Sequence, residues 1–97
     1  MLIQKSDLYF DWFKSLRDQQ AKSRILSRLD RVEAGNLGEC ESVGEGVSEM
    51  KIHYGPGYRI YFIQRGTELI VLLGGGDKST QAKDIKNAIK LAKDYRT

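Results

Sequence analysis

Apolar residues recur every three or four positions through the first half of the chain and every second position through much of the remainder. Tyr9, Trp12, Phe13 and Leu16 form one helical stripe behind Ser6, a residue suited to capping a helix N-terminus. Asp18 caps a second predicted helix, whose stripe is Ala21, Ile25, Leu29 and Val32. Gly35-Asn36 ends it, since both residues tolerate positive φ. The short link between the two helices predicts a helical hairpin, and Leu2-Ile3 ahead of them a brief opening strand.

Alternation begins after Gly44-Glu45-Gly46. Met50, Ile52 and Tyr54 share one face of a strand, and Glu49, Lys51 and His53 the other. A Gly55-Pro56-Gly57 turn returns the chain as a second strand, Tyr58–Arg65. There Tyr58, Ile60 and Phe62 continue the apolar set, with Arg59 and Tyr61 opposite. Gly66-Thr67 separates this strand from Glu68–Leu73, whose unbroken apolar run predicts a strand covered on both sides. From about Thr80 a closing helix carries Ile85, Ala88, Ile89, Ala92 and Tyr95. The expected fold is therefore α+β, a single domain over 1–97. It comprises a short N-terminal strand, a two-helix hairpin, a three- to four-stranded antiparallel sheet and a C-terminal helix, with the helices on one sheet face and the other open.

An open face would bring Glu49, Lys51, His53, Arg59 and Tyr61 together at the surface: a carboxylate, an imidazole, a phenol and two cations. That set suits an RNA phosphate. Basic residues on the helices, including Arg24, Arg28 and Lys83, extend the same tendency, with nearby acids partly balancing them. The chain has 97 residues, 40% of them hydrophobic and 30% charged, with a net charge of +3. Those values describe a folded domain with a mild preference for anionic partners. One cysteine, Cys40, excludes an internal disulfide and fits the cytoplasm. No apolar run is long enough to predict a membrane span.

Several chemistries are excluded by spacing. Leu72-Leu73-Gly74-Gly75-Gly76-Asp77-Lys78-Ser79 imitates a phosphate-binding loop, but Asp77 and Leu72 stand where that motif needs glycine. One histidine, one cysteine and scattered carboxylates predict no metal site and no cofactor. No strained nucleophile turn supports a Ser-His-Asp triad.

The run Gly44–Ile52, followed by Gly55-Pro56-Gly57-Tyr58-Arg59-Ile60-Tyr61-Phe62, resembles the RelE/ParE toxin superfamily, and within it the HigB-like, phage Gp49-related addiction module killer proteins. Leu72–Gln81, Asp84-Ile85, Trp12, Arg24-Ile25, Arg28-Leu29 and Gly35-Asn36-Leu37-Gly38 extend the resemblance over nearly the whole chain. It implies a type II toxin whose partner is a helix-turn-helix antitoxin, with operator DNA reached only through their complex. RelE-like members cut mRNA on the ribosome without a metal, through attack of a ribose 2′-hydroxyl on the adjacent phosphate. The resemblance assigns Arg59 to that phosphate and places Lys51 and His53 among the basic residues of the preceding strand. Lys78 matches a basic residue after the last strand. The tyrosine that some members carry beyond it is absent here, leaving Tyr61 or Tyr95 as substitutes, and Glu49 rivals His53 as base. Two alternatives share this architecture: a ParE-like gyrase inhibitor and a non-catalytic RNA-binding domain.

Overall fold

A computed structural model describes residues 1–95. The described residues form β1 (Leu2–Lys5), α1 (Asp7–Ser15), α2 (Gln19–Glu33), β2 (Cys40–Gly44), β3 (Val47–Ile52), β4 (Tyr58–Arg65), β5 (Leu69–Gly76) and α3 (Gln81–Ala92). Short 3₁₀ turns, Lys78–Thr80 and Lys93–Tyr95, flank α3. The architecture is α+β, as the pattern predicts, with five strands in one sheet in the order β1-β5-β4-β3-β2.

The helix starts follow from their caps. Ser6 Oγ accepts from the Tyr9 backbone N–H at 3.2 Å, and Asp18 Oδ1 accepts from Gln20 and Ala21 at 2.9 and 3.2 Å. Each satisfies amide groups that have no partner within the helix, an effect of about 1 kcal/mol. The Tyr54 hydroxyl donates to the other oxygen of Asp18 at 2.8 Å, tying the start of α2 to the end of the central hairpin. Among these contacts, the Tyr54 bond does most to hold the Asp18 carboxyl below its ordinary pKa.

β2, β3, β4 and β5 run antiparallel in chain order, while β1 pairs with β5 in parallel, Leu2 opposite Leu69. β2 is a short polar edge strand joined to β3 by a turn in which Gly44, Glu45 and Gly46 all have positive φ.

Helices cover both faces of the sheet, not one as expected. On the first face Tyr9, Ile25, Leu29 and Val32 pack against Met50, Ile52, Ile60, Phe62, Ile70 and Leu72. On the second, Ala88 and Ala92 of α3 pack against Val47, Tyr61, Ile63, Val71 and Leu73. The physical reason lies in β4 and β5, whose alternate residues are apolar on both sides. Leaving the second set in water would forgo about 1.5–3 kcal/mol for each large side chain. The covered second face decides the site, because Glu49 and Tyr61 lie on it.

Two glycines of β5 permit this close packing. A Cβ on Gly75 would collide with the ring of Trp12, and one on Gly76 with the carboxylate of Asp84. Their missing side chains let α1 and the start of α3 lie directly on the sheet.

Candidate active site

The β3–β4 hairpin places its polar residues in register. Glu49 lies opposite Tyr61, and Lys51 opposite Arg59. The next neighbour of Arg59, on β5, is Gly76. Gly57, at φ +79, closes the turn between the Arg59 guanidinium and Lys78: a Cβ there would sit 3.5 Å from Arg59 Nη1 and 3.7 Å from Lys78 Cβ. The Lys78 backbone N–H points to the Pro56 carbonyl at 3.4 Å. Arg59 and Lys78, distant in sequence, thus flank one turn.

The expected surface is divided by burial. Lys51 keeps 28% of its side chain exposed and His53 76%, whereas the Glu49 side chain keeps 4% and Arg59 13%. Tyr61 is fully buried beneath α3. Its hydroxyl has no hydrogen-bond partner among the described residues, and burial pushes its pKa up to about 12. The expectation that all five side chains share an exposed face is therefore corrected. Glu49 and Tyr61 lie inside the protein because α3 covers that part of the sheet.

Lys51, His53 and Arg59 each have a carboxylate partner. Glu49 Oε2 lies 3.4 Å from Arg59 Nε. Glu41 Oε2, on the edge strand, lies 2.7 Å from Lys51 Nζ, and this contact raises the lysine pKa. Glu39 bonds His53 Nε2, which lowers the Glu39 pKa. The first pair is buried and fixed. The other two are solvent-exposed, where such pairs contribute about 0–1 kcal/mol and yield readily to a competing anion.

The remaining predicted contacts separate into surface and interior. Arg24 is exposed, with its guanidinium 4.7 Å from the centre of the Tyr54 ring. A groove of about 300 Å³ runs between α2 and β3, with Arg24, Arg31, Lys51 and His53 on its walls. Arg28 also lines it, but is 7% exposed. Arg28 Nη1 donates to the Lys51 carbonyl at 2.7 Å, and Nη2 to the Leu37 and Glu39 carbonyls at 3.0 and 2.8 Å. Those bonds lock the entry to β2 against β3, so the expected surface placement of Arg28 is corrected. Lys83 is exposed on α3, away from any ion pair among the described residues. Tyr95 is partly buried and packs against the α3 core, in keeping with its place in the apolar stripe of the closing helix.

Residues 11–97 match the family of phage-derived Gp49-like proteins (DUF891). The chain belongs to the Gp49-like family. A protein of Haemophilus influenzae, described as uncharacterized, is 46% identical over 96 residues, covering 97% of each chain. No solved structure matches.

In this Gp49-like chain Lys51 lies across the ladder from Arg59 and Lys78 beside the Gly57 turn, with Glu39, Glu41 and Glu49 paired to the basic side chains of the hairpin. Glu39, Glu41 and Gln81 belong to the arrangement yet carry no local signal as site residues. Glu39 and Glu41 follow the same alternation as Lys51 and His53 once β2 is placed beside β3, and only that pairing brings their charges together. Among the described residues no group of three His, Cys, Asp or Glu side chains gathers as a metal site. No helix among them is long and apolar enough to cross a membrane.

Proposed function

We propose that this Gp49-like protein is the toxin of a type II toxin–antitoxin pair and acts as a metal-independent, ribosome-dependent mRNA endonuclease. The observation that carries the reading is the placement of Arg59 with Lys51, His53 and Lys78 around the 53–59 turn. A planar, permanently charged guanidinium beside two ammonium groups and an imidazole suits a phosphodiester on its way to a pentacoordinate, more highly charged state. Arg59 takes the scissile phosphate. Lys51 and Lys78, ammonium groups at neutral pH, neutralise the developing charge.

His53 accepts the proton of the ribose 2′-hydroxyl. The 2′-oxygen forms a bond to phosphorus, and the bond from phosphorus to the 5′-oxygen breaks. The leaving oxygen takes a proton from solvent, giving a 2′,3′-cyclic phosphate and a free 5′-hydroxyl. A neutral imidazole within reach of the hydroxyl is the commonest proton acceptor for such a step. Glu39 orients the ring. The groove with Arg24 and Arg31 holds flanking phosphates, which position RNA without selecting its sequence. A helix-turn-helix antitoxin completes the pair and carries the contact with operator DNA.

The test is a translating extract supplied with end-labelled mRNA and either the wild-type protein or Arg59→Ala. In-frame cuts bearing 2′,3′-cyclic phosphate ends, dependent on translation and absent with the variant, are the expected result. Intact message under conditions where DNA synthesis stops would replace this reading with gyrase inhibition. Intact message with retained binding to duplex RNA would replace it with a non-catalytic RNA-binding role.

A further inference from the structure

The proposed phosphate ligand, Arg59, is held from behind by a buried carboxylate, Glu49, which is in turn contacted by the half-buried Gln81. Glu49 is 3% exposed, and its Oε2 lies 3.4 Å from Arg59 Nε. Gln81, the first residue of α3, donates from Nε2 toward the same carboxylate, 3.2 Å from Oε2 and 3.5 Å from Oε1. On the other side, Arg59 Nη1 donates to the Gly57 carbonyl at 2.9 Å. Arg59 Nε is itself buried without a hydrogen-bond partner among the described residues, so Glu49 engages it as an ion pair, while Nη1 is bonded at the turn-facing end.

We propose that Glu49 and Gln81 are positioning residues for Arg59. The buried carboxylate, oriented by the Gln81 amide, draws the guanidinium in by an ion pair on its Nε side, with Nη1 bonded to the Gly57 carbonyl, and leaves Nη2 for a phosphate oxygen. The inference rests on the reading of Arg59 as the phosphate ligand and changes the role of Glu49. A carboxylate this enclosed, already engaged by a cation and an amide, is poorly placed to take a proton from a ribose in solvent. It is well placed to stop a flexible arginine from sampling rotamers.

Gln81 contributes what a charged residue could not. A lysine there would compete with Arg59 for Glu49, and an acid would repel it. A neutral amide donor fixes the carboxylate while leaving the ion pair intact. Because Gln81 opens α3, it also ties the start of that helix to the β3–β4 hairpin. The Thr80 hydroxyl donates to Asp84 at 2.6 Å within the same turn, steadying the backbone from which Gln81 projects.

The experiment has one readout that does not depend on RNA cleavage. Solvent exchange of the Arg59 Nε–H is followed by two-dimensional ¹H–¹⁵N NMR on the full chain, with the resonance assigned from Arg59→Lys. The expected result is protection in the wild type, exchange at least tenfold faster in Gln81→Ala, and loss of protection in Glu49→Gln. Unchanged exchange in Gln81→Ala, with backbone amide shifts confirming the fold, would overturn the proposal.

The second readout is the pH profile of single-turnover cleavage in the translating extract. Both variants should lose about 10- to 100-fold in rate, the scale of a misplaced catalytic group, while keeping the shape of the wild-type profile. Loss of the acidic limb in Glu49→Gln would identify Glu49 as the base and overturn the positioning role. A wild type that leaves RNA intact would refute the cleavage reading, and the exchange measurement would then decide the positioning by itself.

Discussion

Replacing Arg28 with methionine tests whether this residue serves the interior or the surface. Methionine keeps most of the apolar stem and removes the N–H groups that reach the carbonyls of Lys51, Leu37 and Glu39. The Glu39 carbonyl also accepts from the Lys51 backbone N–H at 3.3 Å and so keeps a partner. The Leu37 carbonyl keeps the weak Cys40 thiol donor at 3.3 Å, while both it and the Lys51 carbonyl lose a charge-assisted donor in a largely buried setting, at about 1–3 kcal/mol each. Recovering the desolvation of a buried guanidinium offsets part of that loss. A net destabilisation of about 3 kcal/mol follows, a large share of the roughly 5–15 kcal/mol that keeps a small domain folded. With an m-value of about 1.5 kcal/mol/M, the urea midpoint should fall by about 2 M. Arg24→Met is the control, because it removes only a stacking contact on Tyr54, about 0.5–1 kcal/mol at an exposed site. Its midpoint should move by less than about 0.7 M. Equal, small shifts in the two variants would refute the reasoning and return Arg28 to the surface.

Other consequences follow from the same packing. Tyr61→Phe removes a buried hydroxyl that has no partner among the described residues; stability should hold or rise slightly in thermal melts, and mRNA cleavage should persist. A loss of cleavage would restore the phenol as a participant. Gly76→Ala pushes a methyl group against Asp84 and should lower the melting temperature by several degrees, about 1–3 kcal/mol of overpacking. Asp18→Ala removes the cap of α2 and the Tyr54 bond, and should cost about 1–2 kcal/mol by urea titration. The lowered carboxylate pKa values of Asp18, Glu39 and Asp77 mean that these groups favour folding above their unfolded values of about 4. Stability should therefore stay level from neutral pH down to that range and decline as acidity passes through the lowered folded values. A decline that begins near neutrality would point to a different titrating group.

Local pattern carried much of the fold because it reports local causes. Ser6 and Asp18 cap the helices they precede, and the alternation from Glu49 to Phe62 reproduces the observed faces and cross-strand pairs. Burial depends on what packs from a distance, and here pattern was insufficient. Glu49 and Tyr61 share a face with Lys51 and Arg59, yet only the first two lie under α3. Arg24 and Arg28 are four residues apart on α2 and look equivalent as basic positions. Arg28 turns inward because Gly38 has no side chain: a Cβ there would sit 2.7 Å from Arg28 Nη2. The carboxylates beside Lys51 and His53 escaped notice because β2 is short and polar, and its pairing with β3 alone brings Glu39 and Glu41 into place. Gln81 carried no signal, since a glutamine at the start of a helix is ordinary until its partner is known.

The parallel pairing of β1 with β5 also imposes an order in time. Leu2 finds its partner, Leu69, only after the helical hairpin and three further strands have been synthesised. At about 5–20 residues per second, the opening strand waits for seconds with its backbone groups unpaired. The sheet cannot close progressively from its N-terminal end. The β3–β4 hairpin, formed from neighbouring residues, can assemble early, but the arginine it carries gains its support from Gln81 later still. A nascent chain therefore holds the parts of the proposed site before it holds their arrangement, and competence arrives with the last third of the polypeptide.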